Sequence, residues 1–349
     1  MSEWSVAEPK KLSFDDPVTT LHVRVVNGTV NVVGTDEGSA RLEVSELDGP
    51  PLQVAHKDGT LTVAYEDLPW KGFLKWFDTK GWRRSAVVSL AVPAGTRVEV
   101  GVVGAAAVVS GVDGRVEVKG VSGDTTLVRV AGPTHVTTVS GNLEAQAVTG
   151  DLRFNSVSGD LTVVEGSGSS VRAESVSGSM IVDLDAAGAP TDVQLSNVSG
   201  EIAIRLPHPA DAEVEANTAS GTVSSAFEDL RVAGQWGAKK ITGRLGAGNG
   251  RLKAVTVSGS IALLRRPPAE EEPFEDAPKP TDSPRPTSTP ASPSTPGSTD
   301  TTEAGDPAKA ADLTKGTDGP ETAGPDDAIA SDGSGGGRPA DTPTDKKVL

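Results

Sequence analysis

The chain of 349 residues has no cysteine, so disulfides and thiolate metal ligands are excluded. It has one tyrosine, six phenylalanines and five tryptophans, too few aromatics for a thick core or a carbohydrate-stacking groove. No run of 18 apolar residues occurs, so no membrane-spanning helix is expected. The segment Met1–Lys11 has no apolar core of the kind a secretory signal needs, and a cytoplasmic location follows as the expectation. Positive charge is scarce too: the formal net charge is −16, which argues against nucleic acid as a partner. Helix-period apolar patterning is almost missing.

Glycine is abundant, with 40 residues, and it recurs in a phrase. Gly141-Asn-Leu143-Glu-Ala145 leads to Val148-Thr149-Gly150; Gly150-Asp-Leu152-Arg-Phe154 leads to Val157-Ser158-Gly159; Gly159-Asp-Leu161-Thr-Val163 follows. Glycines 123, 141, 159, 178, 200 and 221 stand 18, 18, 19, 22 and 21 residues apart. Within each unit the alternation has period two, so Leu152 and Phe154 share one face and Asp151 and Arg153 the other. Two short strands and two tight turns in 18–22 residues make one coil of a β-solenoid (β-helix), which buries its inward side chains only by stacking on its neighbours. Glycine suits the corner, where φ turns positive or the backbone bends, and the preceding serine can bond local backbone or stack on serines of adjacent coils. Looser copies at Gly28, Gly59 and Gly114 extend the all-β reading back to Val18, although a small separate β-sandwich over 18–103 fits the same residues.

Composition divides the chain into a lead-in at 1–17, a β-solenoid domain at 18–267 and a tail at 268–349. The tail holds 14 of the 25 prolines, 17 acidic and 7 basic residues, and almost no large apolar side chains. It cannot offset an ordering cost of roughly 1–2 kcal/mol per residue, and a disordered tail is expected.

The recurrent Val-Ser-Gly-Asp/Glu/Ser-Ile/Leu phrases resemble the bacterial domain-of-unknown-function family known as "putative adhesin", over roughly Val18–Leu264. That family includes LiaX-type proteins of the envelope-stress response. The resemblance implies a β-solenoid and a link to the cell envelope, and it carries over no functional residue, because the phrases are repeats.

Residues with chemical potential are dispersed. His22, His56, His135 and His208 lack metal-ligand spacing, so neither a metal nor another cofactor is expected. The many Ser-Gly steps point to corner geometry, since an enzyme needs one nucleophile. Asp124, Asp151 and Asp160 follow glycines as in calcium-binding nonapeptides, yet the Gly-Gly-x-Gly-x-Asp loop is missing and a solvated turn fits better. The outstanding segment is 69–84, with five of the twelve aromatics and five basic residues against one acidic. Pro69 could open a short helix and Gly81 close it, placing Trp70, Phe73, Leu74 and Phe77 on one stripe beside Lys71 and Lys75, with Trp76, Trp82, Arg83 and Arg84 nearby. Such a stripe either covers a solenoid end or groove, or contacts a protein partner or an anionic membrane surface. The functional expectation is a non-enzymatic scaffold or interaction protein, peripheral to the cytoplasmic membrane face. An exported adhesin-like protein is the first alternative and a polysaccharide-acting β-helix enzyme the second. Open solenoid edges also admit a homo-oligomer.

Overall fold

A computed structural model describes residues 2–65, 84–185, 192–235 and 237–266, omitting the side chain of Gln235. These all belong to the unit Met1–Pro273; the second unit, Phe274–Leu349, lies outside the described residues, as does the predicted tail. The described residues form 26 strands, in one sheet of 14 and one of 12. Each coil gives one strand to each sheet, and the inward side chains of both sheets meet in one core. The chain is a β-solenoid.

The middle shows why the phrase repeats. Strand 152–156 lies parallel between 134–137 and 170–177, and strand 161–166 lies parallel between 143–146 and 180–184. Leu152, Phe154, Leu161 and Val163 point inward, each 1% exposed or less, while Arg153 and Thr162 point outward. Burying each large aliphatic or aromatic side chain stabilises the coil by about 1.5–3 kcal/mol. Size is matched between coils: Phe154 stacks beside Ala173, so a bulky ring meets a small neighbour.

Two columns of glycine mark the corners. A Cβ on Gly141 would sit 2.1 Å from the Gly123 carbonyl oxygen, one on Gly159 2.1 Å from that of Gly141, and one on Gly200 2.2 Å from that of Gly178. At the opposite corner Gly132, Gly150 and Gly168 approach the carbonyls of Gly114, Gly132 and Gly150 in the same way. Glycine is therefore required by close stacking of coils. Positive φ marks a separate column, Gly111, Arg129, Ala147 and Glu165, at 64°, 50°, 51° and 55°, and within the glycine columns it occurs at Gly178 and Gly200, at 144° and 132°. The expectation that corner glycines serve a left-handed backbone thus holds at few of them.

The hydroxyls and carboxylates beside these glycines join coil to coil. Ser122, Ser140 and Ser158 donate Oγ–H to the carbonyls of Val103, Val121 and Val139, each 19 residues earlier. Asp124 Oδ1 accepts the N–H of Asn142, Asn142 Oδ1 that of Asp160, and Asp160 Oδ1 that of Ser179, at 2.7–3.0 Å. The aspartates that resembled calcium ligands hold up the next coil.

Both ends depart from sequential stacking. At the amino end, strands 60–64 and 85–93 lie between the coil 20–35 and the layer formed by 40–48 and 52–57. Strands 2–6 and 10–14 pair antiparallel outside that layer, so the lead-in at 1–17 contributes the outermost strands of both sheets. Trp4 meets Phe14 edge-on at 5.3 Å there. At the other end the last coil, 250–265, lies between 192–206 and 212–225, and the hairpin 231–245 pairs antiparallel outside strand 212–220. The region 18–103 shares the same two sheets, so no separate sandwich exists there.

Candidate functional site

The predicted contact residues Trp70, Lys71, Phe73, Leu74, Lys75, Trp76, Phe77, Trp82 and Arg83 lie outside the described residues. The flanking residues are placed. Tyr65 is buried, the Arg84 guanidinium lies 5.1 Å from its ring centroid, and the Arg84 carbonyl accepts hydrogen bonds from Asn27 N–H and Nδ2–H. The chain therefore leaves the 14-stranded sheet at Tyr65 and enters the 12-stranded one after Arg84, a step that the other coils make with Val-Ser-Gly. Along the edge where those coils place Val-Ser-Gly, Val157, Val176, Val198 and Val257, from four successive layers, are each about half exposed. They form an apolar ridge.

The outer face of the 14-stranded sheet is charged. His22, Glu99, Glu117, His135, Arg153 and Arg172 occupy one row, strand by strand. Burial pushes both histidines below the usual imidazole range, against the pull of Glu99 on His22 and Glu117 on His135. Glu117 is held below the usual carboxylate range, first by its hydrogen bond from Lys119. Arg24, tucked beside Gly101, is brought down to about 10 by burial, with Glu99 opposing, and stays charged at neutral pH. Among the described residues no three His, Asp or Glu side chains cluster as metal ligands.

This face becomes concave where the sheet passes from the inserted coil to the hairpin. A cleft of about 730 Å³ is lined by Glu213, Glu215, Asp229, Arg231, Lys240, Arg244, Arg251 and Lys253, around the backbone of Val214, Leu252 and Gly243. Five basic groups outnumber three acidic ones, the reverse of the chain's 32 to 48. Lys240 Nζ sits 2.8 Å from Glu215, and this bond, with one from Asn217, holds Glu215 below the usual carboxylate range. Beneath the rim, Asp211 accepts from the N–H groups of Gly248 and Asn249 and from Asn249 Nδ2, bracing the turn 246–249. Sequence reasoning missed the cleft, because its strands are adjacent in space in an order the sequence does not follow. Two signals pointed to it. Ser220-Gly221 and Ser258-Gly259 stand 38 residues apart where other intervals are 18–22, and charges occupy alternate positions in Glu213-Val-Glu215 and Arg251-Leu-Lys253.

No curated protein matches this chain. Among solved structures, it is similar to a "putative cell adhesion protein" from Clostridium sporogenes, at 11% identity over 74% of this chain and 100% of that one, with a TM-score of 0.26. It is also similar to a "putative adhesin" from Parabacteroides merdae, at 9% identity over 74% of this chain and 97% of that one, with a TM-score of 0.30. Among the described residues, no helix is long and apolar enough to cross a membrane. The Toastrack DUF4097 model matches residues 18–264, which is most of the chain and nearly the whole span of the coils, and this chain belongs to that family.

Proposed function

We propose that this chain is a non-enzymatic scaffold that holds a partner against its long edge, at the cytoplasmic face of the membrane, in the response to envelope stress. The observation that carries the reading is the stacked ridge Val157, Val176, Val198 and Val257, an apolar line on the surface of an otherwise acidic chain. The aromatic, basic segment 69–84 would supply an anchoring contact for a protein or for anionic headgroups. One fact favours a role without catalysis: the repeated serines and aspartates are engaged in coil-to-coil hydrogen bonds.

The test is co-sedimentation of the full chain with anionic vesicles, together with affinity capture from cell extract. Wild type is compared with a variant carrying Trp70→Ser, Phe73→Ser, Trp76→Ser and Phe77→Ser, and with a Val176→Ser, Val198→Ser variant, each checked by circular dichroism. Vesicle binding lost in the first variant supports the membrane contact, and capture lost in the second supports the ridge. Wild type that neither sediments nor captures a partner overturns the scaffold reading. Recovery of the protein outside the cell on fractionation would replace it with the adhesin-like alternative.

A further inference from the structure

The cleft at the carboxyl-terminal end has a charge pattern that its structural role leaves unexplained. Across neighbouring strands one outward row reads Asp192, Arg251, Glu213, Arg244, and the next reads Gln194, Lys253, Glu215, Thr242, Arg231. Alternating signs at strand spacing are the usual means of stitching strands together by ion pairs. Just outside the cleft that is what happens: Arg172 Nη2 lies 2.8 Å from Asp192. Inside it, among the described residues, only Lys240 and Glu215 close a pair. Arg231, Arg244, Arg251, Lys253, Glu213 and Asp229 make no ion pair or side-chain hydrogen bond among the described residues. Four cations and two carboxylates thus project into one concave space without closing an ion pair, Lys253 acting on Glu215 only through space.

That space selects its occupant. Arg251 and Arg244 flank Glu213, so at about 4.8 Å per strand the two guanidinium-bearing positions stand about 10 Å apart, with an acceptor between them. A dense polyanion would be repelled by the interleaved carboxylates. A neutral sugar chain would leave the arginines unused, and a stacking mode needs an aromatic platform, which the described residues of the cleft lining lack. The arrangement fits a linear ligand in which negative groups alternate with hydroxyl or amide donors. A pyranose ring advances about one strand spacing, so an acid on every second sugar would meet arginine while the intervening ring donates to Glu213 and Asp229. Arginine suits this role because its planar fork binds carboxylate in two places at once. The cleft also sits on the one described interruption of regular coiling at this end, where an insertion adds side chains without disturbing the stack.

We propose that the cleft between strands 250–258, 212–220 and 238–245 binds a linear acidic glycan, with Arg231, Arg244, Arg251 and Lys253 taking its carboxylate or sulfate groups and Glu213 and Asp229 its hydroxyls. The site is separate from the ridge and from segment 69–84, and it stands or falls independently of both.

The full chain is applied to an array of linear acidic and neutral oligosaccharides, and the affinity for the best acidic probe is measured by calorimetry. Acidic probes with charge on alternate sugars should bind, and binding should weaken as salt rises. Arg244→Gln and Arg251→Gln should each cost about tenfold, the equivalent of one charge-assisted hydrogen bond. Arg115→Gln and Lys57→Gln, outside the cleft, should change nothing. The carboxylates give the sharpest discrimination. Removing negative charge by Glu213→Gln or Asp229→Asn should tighten simple electrostatic adsorption, whereas a site that uses those oxygens for hydroxyls must bind more weakly. Tighter binding in these variants, equal losses in the outside controls, or an array on which no acidic probe binds would each overturn the proposal. Far-ultraviolet circular dichroism of every variant keeps loss of fold from passing as loss of binding.

Discussion

The middle of the solenoid and its two ends are built from similar strands by opposite rules of order. From 116 to 184 each coil lies on the one made just before it, and its hydrogen bonds reach back 18 or 19 residues, as from Asn142 to Asp124 and from Ser140 to Val121. At the ends the chain first lays down an outer layer, then returns to fill the space it left. Strands 60–64 and 85–93 fill one gap, and 250–265 fill the other, where Thr218 Oγ–H donates across 41 residues to the Gly259 carbonyl. The middle teaches how a short phrase specifies a coil. The ends teach how a structure that could grow without limit is given a fixed length: the outer layers are antiparallel, short or charged, and do not offer the edge a next coil would need.

The largest effect should come from removing the returning coil. Truncation after Leu245 takes away the strands between 192–206 and 212–225, with buried Leu252, Ala254, Ile261 and Leu263, and should lower the melting temperature by about 10 °C or more. Truncation after Arg266 keeps every described strand and should leave it nearly unchanged. Equal losses in the two would erase the distinction between ends and middle. Within the middle, Gly141→Ala places a Cβ against the Gly123 carbonyl and should cost about 1–3 kcal/mol in urea unfolding. The same change at Gly38, where nothing lies within 4 Å, should stay within about 0.5 kcal/mol.

Acid should act on both regions at once. The pKa values of His22, in the first coil, and His135, in the middle, are lowered in the fold, chiefly by burial. A lowered histidine favours the folded state while neutral, so its contribution is present above the unfolded value of about 6.5 and is lost as pH falls through the folded value. Stability measured from pH 7 down through 5 should therefore decline, and less so in a His22→Gln, His135→Gln double variant. The smallest effect is a gain. Ala147 holds φ at 51°, where a Cβ costs about 1–2 kcal/mol, so Ala147→Gly should stabilise by up to about 1 kcal/mol after its own entropy cost. A loss there would mean that the Ala147 methyl contributes more than the backbone strain it imposes.

The coil itself was legible in Gly150-Asp-Leu152-Arg-Phe154, because a contiguous stretch of chain makes a contiguous piece of structure. Period-two burial and corner glycines were read from the same residues. The reason for the glycines was not, since a contact with the carbonyl of another coil leaves no trace in local sequence. Nor was the role of Asp124 and Asp160, read as a solvated turn face, because the backbone N–H groups they accept belong to the next coil. Gly221 was read as the successor of Gly200, whereas Gly259 lies between them. The charged cleft was hidden for the same reason, because Glu213 acquires Arg244 and Arg251 as neighbours only when the last coil takes its place.

The returning coil also decides how the molecule bears a load. Tension applied through residues beyond 266 would reach strand 261–265, which is held by parallel ladders on both sides, to 202–206 and to 223–225. A pull along such a strand stresses its hydrogen bonds together, in shear, and extraction requires both ladders to give way. Tension at the other terminus meets strand 2–6, which has one partner and can peel away bond by bond. The two termini thus differ as anchors: a tether at the carboxyl side would hold the folded body, while one at the amino side would fray it.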